Sequence, residues 1–318
     1  MAKTKEAKNH SRSTVWKQVK VNWQMYLFLL LPVIWLIVFK YVPMYGAQIA
    51  FRDYTIQGGF TGSKWVGLKH FNRFFTSYSF GNTLSNTLIL SFYSLIVGFP
   101  LPIIFALLLN SVRSKRWKSV VENVTYMPNF ISAVVMVGML FRVMDVNSGL
   151  LANVYCALTG AKQLPFNAMA SGWGFRHLYV WSGVWQGTGW GSIIYMAALS
   201  SVDPQLHEAA MIDGASRWKR LWHVDFPAII PTIAITLILR MGSIMSIGFD
   251  KAWLLQTDAN LRASEVITTY VYKVGLANAS GNNYSYSTAI GFFNSIVNLV
   301  MITVVNKIAN KISGSGLW

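Results

Sequence analysis

Acidic residues are scarce in this chain: 11 Asp and Glu stand against 27 Lys and Arg in 318 residues, and only 12% of positions are charged. Cysteine is scarcer still. The single Cys156 excludes an internal disulfide and shows no cysteine-based metal cluster. No Gly-x-x-x-x-Gly-Lys-Ser/Thr run occurs. Gly62-Ser63-Lys64-Trp65 fails both the spacing and the final hydroxyl, which excludes ATP hydrolysis by that route. His10, His70, His177, His207 and His223 are scattered, and His207-Glu208 lacks the later His of a zinc-protease helix. They read as surface or loop histidines, and neither a catalytic constellation nor a metal set is expected. What the chain has in abundance is apolar: 53% of it is hydrophobic, which places it among integral membrane proteins. The net charge of +16 does not point to nucleic acid, because Lys and Arg sit between apolar runs rather than on one patch.

Six apolar runs are long enough to cross ~30 Å of hydrocarbon, and backbone satisfaction in lipid requires them to be helices. They run about Met25 to Tyr41, Thr87 to Leu109 (bent by Pro100 and Pro102), Met127 to Met144, Leu178 to Leu199, Ala228 to Phe249, and Tyr286 to Ile308. The first follows a basic N-terminus but lacks a small-residue cleavage site, so it reads as a retained span and not a signal peptide. Residues 1–24 form a basic cytoplasmic tail, with Trp16 and Trp23 among lysines suiting an interfacial helix. Residues 25–308 form one membrane domain and 309–318 a cytoplasmic end. With both termini inside, the inner segments carry 15 Lys and Arg and the longer outer ones only 9, which fixes the orientation.

Between the fourth and fifth runs lies a polar insert, residues 203–227. Asp203-Pro204 is a helix start, an N-cap followed by proline in the first turn. The helix is expected to end at Gly214, where a residue without Cβ reverses the chain, and Ser216 to cap a second short helix. On this insert stand Glu208, Ala209, Ala210, then Gly214 six residues after the Glu and Pro227 nineteen after it.

That pattern resembles the EAA loop of permease subunits in binding-protein-dependent ABC importers, with Val224-Asp225-Phe226-Pro227 where the family usually has an aliphatic, any residue, Leu and Pro. A second resemblance, through Tyr41-Val42-Pro43-Met44-Tyr45-Gly46, Ile49-Ala50-Phe51-Arg52-Asp53-Tyr54 and Trp65-Val66-Gly67-Leu68, is to the branch importing oligosaccharides and polysaccharide fragments. The resemblance implies an all-α, six-helix type I importer permease in the bacterial cytoplasmic membrane. Glu208, Ala209, Ala210, Asp213, Gly214 and Pro227 would couple it to an ATPase. ATP and Mg would bind that partner, and no cofactor this chain. The implied partners are a second homologous permease, two ATPase subunits, an extracytoplasmic solute-binding protein, membrane lipid and a carbohydrate. The chain itself would not be an enzyme.

For the solute route, Arg240 and Ser243 are three apart and can face one path, and an arginine at membrane depth usually faces a partner or an aqueous cavity. Arg142, near the outer end of the third run, can instead snorkel. Trp181, Trp185, Trp190 and Tyr195 suit either sugar contact or interface anchoring, and Asn294 and Asn298 either bond a neighbouring helix or line a path. Gly183, Gly187 and Gly191 make a smooth ridge read as helix packing, and Asp250-Lys251 reads as a pair at the outer mouth. An arginine in the path implies an acidic sugar, with an alginate-type oligosaccharide as the tentative substrate. The alternatives are an ABC permease for a non-sugar solute and an ion-coupled secondary transporter. Against the second, no Asp or Glu falls inside any of the six runs.

Overall fold

The computed structural model describes residues 17–277, 283–314 and 316–317. The tail up to Trp16 expected to be basic and cytoplasmic, with part of the C-terminal end, lies outside the described residues. The chain divides at Gly67 into two compact units.

In the first unit, helix α1 (Trp23–Leu36) runs on without a break through Phe51. Pro43 has no N–H to give, and the turn before it, Ile37–Tyr41, widens to a π turn. A tight helical stretch, Gly46–Phe51, follows, and then a departure from the all-helical expectation. Strand β1 (Arg52–Asp53) pairs antiparallel with β2 (Lys64–Trp65), Arg52 opposite Trp65. The Phe51 ring stacks on Trp65 at 5.6 Å between centroids. The Arg52 guanidinium sits 5.5 Å over the same indole and Nη1 donates to the Ser63 carbonyl at 2.9 Å. The front motif therefore closes a small hairpin.

The second unit is helical throughout its described residues and is organised on α6 (Gly172–Ser200). Ahead of it come α2 (Tyr78–Gly98), α3 (Pro100–Asn110), α4 (Lys115–Tyr126) and α5 (Ala133–Val143). After it come α7 (Pro204–Ile212), α8 (Phe226–Met241), α9 (Phe249–Leu254), α10 (Ile267–Gly275) and α11 (Tyr284–Ser313). Helix α6 packs on α2, α3, α4 and α8. One cluster joins Leu90, Val137, Phe175, Leu178, Ile247 and Leu255; another joins Ile103, Leu107, Tyr195, Leu199, Leu221 and Ile229. A third closes Phe74, Met241, Met245, Ile267, Tyr286 and Ile290 around α10 and α11.

Among the described residues four helical stretches are long and apolar enough to cross a membrane: Trp23–Phe51, Tyr78–Asn110, Arg217–Met241 and Tyr284–Lys311. A fifth candidate is bent. The third expected run, Met127 to Met144, is not one straight helix: Lys115–Phe130 and Ala133–Val143 meet at 97°. Pro128 forces a tight turn, Ile131 is extended, and the Ser132 hydroxyl caps α5 by accepting from Val135 N at 3.3 Å. The carbonyl freed at Ile131 is recovered by Gln186 Nε2 of α6 at 2.9 Å, as a backbone group out of water must be. The fifth run also stops early. Helix α8 ends at Met241 instead of reaching Phe249, and the chain turns through Gly242–Gly248 before α9. Asn298 of α11 holds this unwound stretch, accepting from Met245 N at 2.9 Å and donating to the Ser246 hydroxyl at 3.0 Å.

Close approach of α4 to α6 depends on one glycine. A Cβ at Gly189 would stand 2.2 Å from the Thr125 carbonyl oxygen of α4, where no atom fits. Gly187, half a turn away, has open space beside it. Gly189→Ala is therefore expected to lower the apparent melting temperature of the purified protein by several degrees, a strain of about 1–3 kcal/mol. Gly187→Ala should leave it within a degree or so; equal melting of both variants would contradict this packing.

Candidate functional site

Two places in the second unit gather the residues singled out above. The first is the polar insert. Asp203 Oδ1 accepts from Gln205 N at 2.9 Å and starts α7. The helix ends with Gly214 at φ +76°, Gly214 N donating to the Met211 carbonyl at 3.1 Å and Ala215 N to the Ala210 carbonyl at 2.8 Å. That is a Schellman closure, and it needs a residue free to take the left-handed conformation. Ser216 then caps the short helix Arg217–Arg220 through Lys219 N. Glu208, Ala209, Asp213, Gly214 and Pro227 are exposed, Ala210 half-buried, and the apolar tip is bare, with Ile212 87% exposed. This is a knob with charge on its flank and grease at its end.

Its base is fixed by residues the sequence did not mark. Asp225 is buried, although it stands in the first turns of the long apolar stretch Arg217–Met241. Its Oδ1 meets His207 Nε2 of α7 at 3.3 Å and accepts from Asn110 Nδ2, at the end of α3, at 3.3 Å. One carboxylate thus joins the knob to two long helices. An acid two residues ahead of Pro227, at the start of an apolar run, was the visible signal, but its partners lie 18 and 115 residues away.

The second place is a cavity of about 550 Å³ enclosed by α2, α3, α6 and the unwound stretch after α8. Both Arg240 and Ser243 line it, and so does Lys251 of α9. No Asp or Glu does. The two cations occupy room left by missing side chains. A Cβ at Gly98 would come 3.4 Å from Arg240 Nη2, and one at Gly183 would come 3.3 Å from Lys251 Nζ. Gly183, Gly187 and Gly191 all face this space, so the expected packing ridge is for the most part a cavity wall. Lys251 does not pair with Asp250 either: among the described residues no ion pair joins them, and Nζ instead lies 5.0 Å over the Tyr179 ring. Ser91 donates to the Ile244 carbonyl and fastens the unwound wall to α2.

The aromatic candidates sit elsewhere. Trp181 and Trp185 are half exposed, because residues two positions from Gly183 and Gly187 project from the far side of a helix with 3.6 residues per turn. The Trp181 indole donates to the Tyr93 hydroxyl at 3.0 Å, and Trp190 meets Phe130 edge-on at 5.6 Å. Tyr195 is buried in the core with its hydroxyl 2.9 Å from that of Thr236. Asn298 serves the unwound stretch, and Asn294 Oδ1 is buried without a hydrogen-bond partner. Neither asparagine lines the cavity. Arg142 is exposed at the end of α5.

Residues 98–314 match the family described as the binding-protein-dependent transport system inner membrane component. The chain is 42% identical over 302 residues to the polygalacturonan/rhamnogalacturonan transport system permease protein YteP of Bacillus subtilis (strain 168), covering 94% of this chain and 92% of the relative. Among solved structures it is similar, at 36% identity and a TM-score of 0.83, to a chain of a bacterial ABC transporter involved in import of the acidic polysaccharide alginate, covering 94% of this chain and 99% of that one. It is likewise similar, at 35% identity and a TM-score of 0.84, to a chain of a bacterial alginate ABC transporter in complex with a periplasmic protein bound to alginate pentasaccharide, covering 95% and 99%.

Proposed function

Because the chain belongs to the family of binding-protein-dependent transport system inner membrane components, we propose that it is the permease subunit of an ATP-driven importer of acidic oligosaccharides. The observation that carries the substrate class is the central cavity, with Arg240 and Lys251 on its wall and no carboxylate facing them. Two cations at membrane depth are costly unless water or an anion shares the space. A uronate supplies that anion, and Ser91, Ser94, Gln186 and Ser243 around it offer the hydrogen bonds that sugar hydroxyls use. The three similar proteins named above run the same way: polygalacturonan in one, alginate in the other two. An alginate-type or galacturonate-type oligosaccharide is the substrate we favour.

In this reading the chain crosses the cytoplasmic membrane six times with both termini inside. Two of the crossings are the bent pair ending in α5 and the glycine-rich α6. A second, homologous permease completes the channel, two ATPase subunits sit inside, and a loaded solute-binding protein docks outside. ATP and Mg belong to the ATPase. The knob Pro204–Ile212 is the coupling element: Glu208 meets a basic group in an ATPase cleft, and Ala209 and Ala210 let the helix seat deeply. Gly214 permits the turn. Motion of the knob reaches α3 through Asp225 and Asn110, and reaches the cavity through α6 and α8, whose unwound end carries Ser243. Such a lever between two packed states is what alternating access requires.

The test is uptake by the complex reconstituted in proteoliposomes with its binding protein. Uronate oligosaccharides should be taken up only with ATP, and Arg240→Ala should slow that uptake about tenfold, as loss of a charge-assisted hydrogen bond does. Glu208→Lys should abolish sugar-stimulated ATP hydrolysis while the permease pair still assembles. Equal response to uronate and neutral sugars, unchanged by Arg240→Ala, removes the acidic-sugar reading. Transport by this chain alone down an ion gradient removes the importer reading.

A further inference from the structure

A second cavity, of about 310 Å³, opens beside the N-terminal turns of α2 and α6. Arg176 and Arg262 both line it, with Asn82, Asn86 and Asn260 between them. Two arginines lining one small space favour something negative within it. Among the described residues no acid lines it. Of the acids flanking Arg262 in sequence, Glu265 is taken up by Lys273 at 2.9 Å, and Asp258 is exposed and paired with neither arginine.

The arginine is nonetheless held in a set geometry. Its Nη2 donates to Asn86 Oδ1 at 3.1 Å, and its guanidinium lies 4.8 Å from the centre of the Trp173 ring. Asn86 is buried and itself fixed, donating from Nδ2 to the carbonyls of Arg262 at 2.8 Å and Glu265 at 3.1 Å. Asn86 therefore holds both arginine-bearing segments in register. Arg176 Nε is buried without a partner, an orphan donor that a ligand oxygen would satisfy. A planar fork with a spare donor, in a pocket whose lining includes a second arginine, suits a carboxylate.

The position of this pocket decides which carboxylate. Arg176, Val180, Gly183, Gly187 and Gly191 lie on one face of α6, and all but Arg176 line the central cavity. From Arg176 to Gly183, which adjoins Lys251, the helix rises about 10 Å. The same two helices, α2 and α6, wall both spaces. We propose that the Arg176–Arg262 pocket is a carboxylate station on the outer approach to the central cavity. It holds one uronate of the oligosaccharide before that group reaches Arg240 and Lys251. This rests on the acidic-sugar reading and adds a second cationic site to it.

The experiment compares turnover of trigalacturonate in proteoliposomes holding the whole complex, at saturating loaded binding protein, for a charge series at Arg176. Arg176→Gln should lose about fivefold, Arg176→Lys less than that because the charge remains while the fork is lost, and Arg176→Glu more. Arg262→Gln, at an exposed side chain, should reproduce the Gln loss in a complex whose assembly is intact. The affinity of the loaded binding protein for the complex should stay within about twofold in every variant. The proposal is overturned if all variants turn over at the native rate, or if Lys and Gln lose equally, which marks a merely structural role. It is also overturned if the loss follows weakened docking, because the pocket then receives an acidic side chain of the binding protein. ATP-dependent trigalacturonate uptake by the native complex with an unchanged charge series sinks this inference alone; no such uptake by the native complex sinks the acidic-sugar reading with it.

Discussion

What the second unit depends on is the closeness with which other elements approach α6, and that closeness is set by missing side chains. At Gly189 the gap lets the α4 backbone touch the helix, with no room for even a methyl group. At Gly183, Gly187 and Gly191 the same absence is left unfilled by backbone and becomes the cavity. Small residues along one helix thus do two opposite jobs: they bring one neighbour into contact and hold open a space beside another. In lipid, where apolar burial gives helices little reason to associate, such close contacts and hydrogen bonds carry the packing.

Breaking a helix within an apolar bundle frees backbone groups that must find partners. Two breaks occur here, and both are repaired by amide side chains from a neighbouring helix: Gln186 at Ile131, and Asn298 at Met245. The second break is where the cavity wall forms. Unwinding after Met241 lets Ser243, Ile244, Ser246 and Gly248 all reach the space, which an intact helix would have spread around its circumference. The cations follow the same logic. Arg240 closes the last turn of α8, Lys251 starts a new short helix, and the bend between them turns both inward.

The knob Pro204–Ile212 is fixed at its base and bare at its tip. Asp225 binds His207 and Asn110 at once, so the short helix cannot swing without disturbing α3. A buried carboxylate left without those partners would be destabilising, and this makes the joint stiff. Ile212 stands almost fully exposed at the tip, and Met211 beside it is half exposed.

The sequence alone determined what local physics determines. Asp203-Pro204, Gly214 and Ser216 announced the two short helices, because caps and left-handed turns are decided by one or two residues. Apolar run length announced membrane helices, and Arg240 with Ser243 announced a shared space, because neighbours on a helix share a face. The tertiary structure alone decided the rest. It bent the third run by 97°, ended the fifth at Met241, and turned Trp181 and Trp185 away from the cavity. It also brought Lys251 to Arg240, Asn110 to Asp225 and Arg262 to Arg176. These partners are brought together only by the packing of whole helices against one another, and no local pattern of residue types encodes that distance.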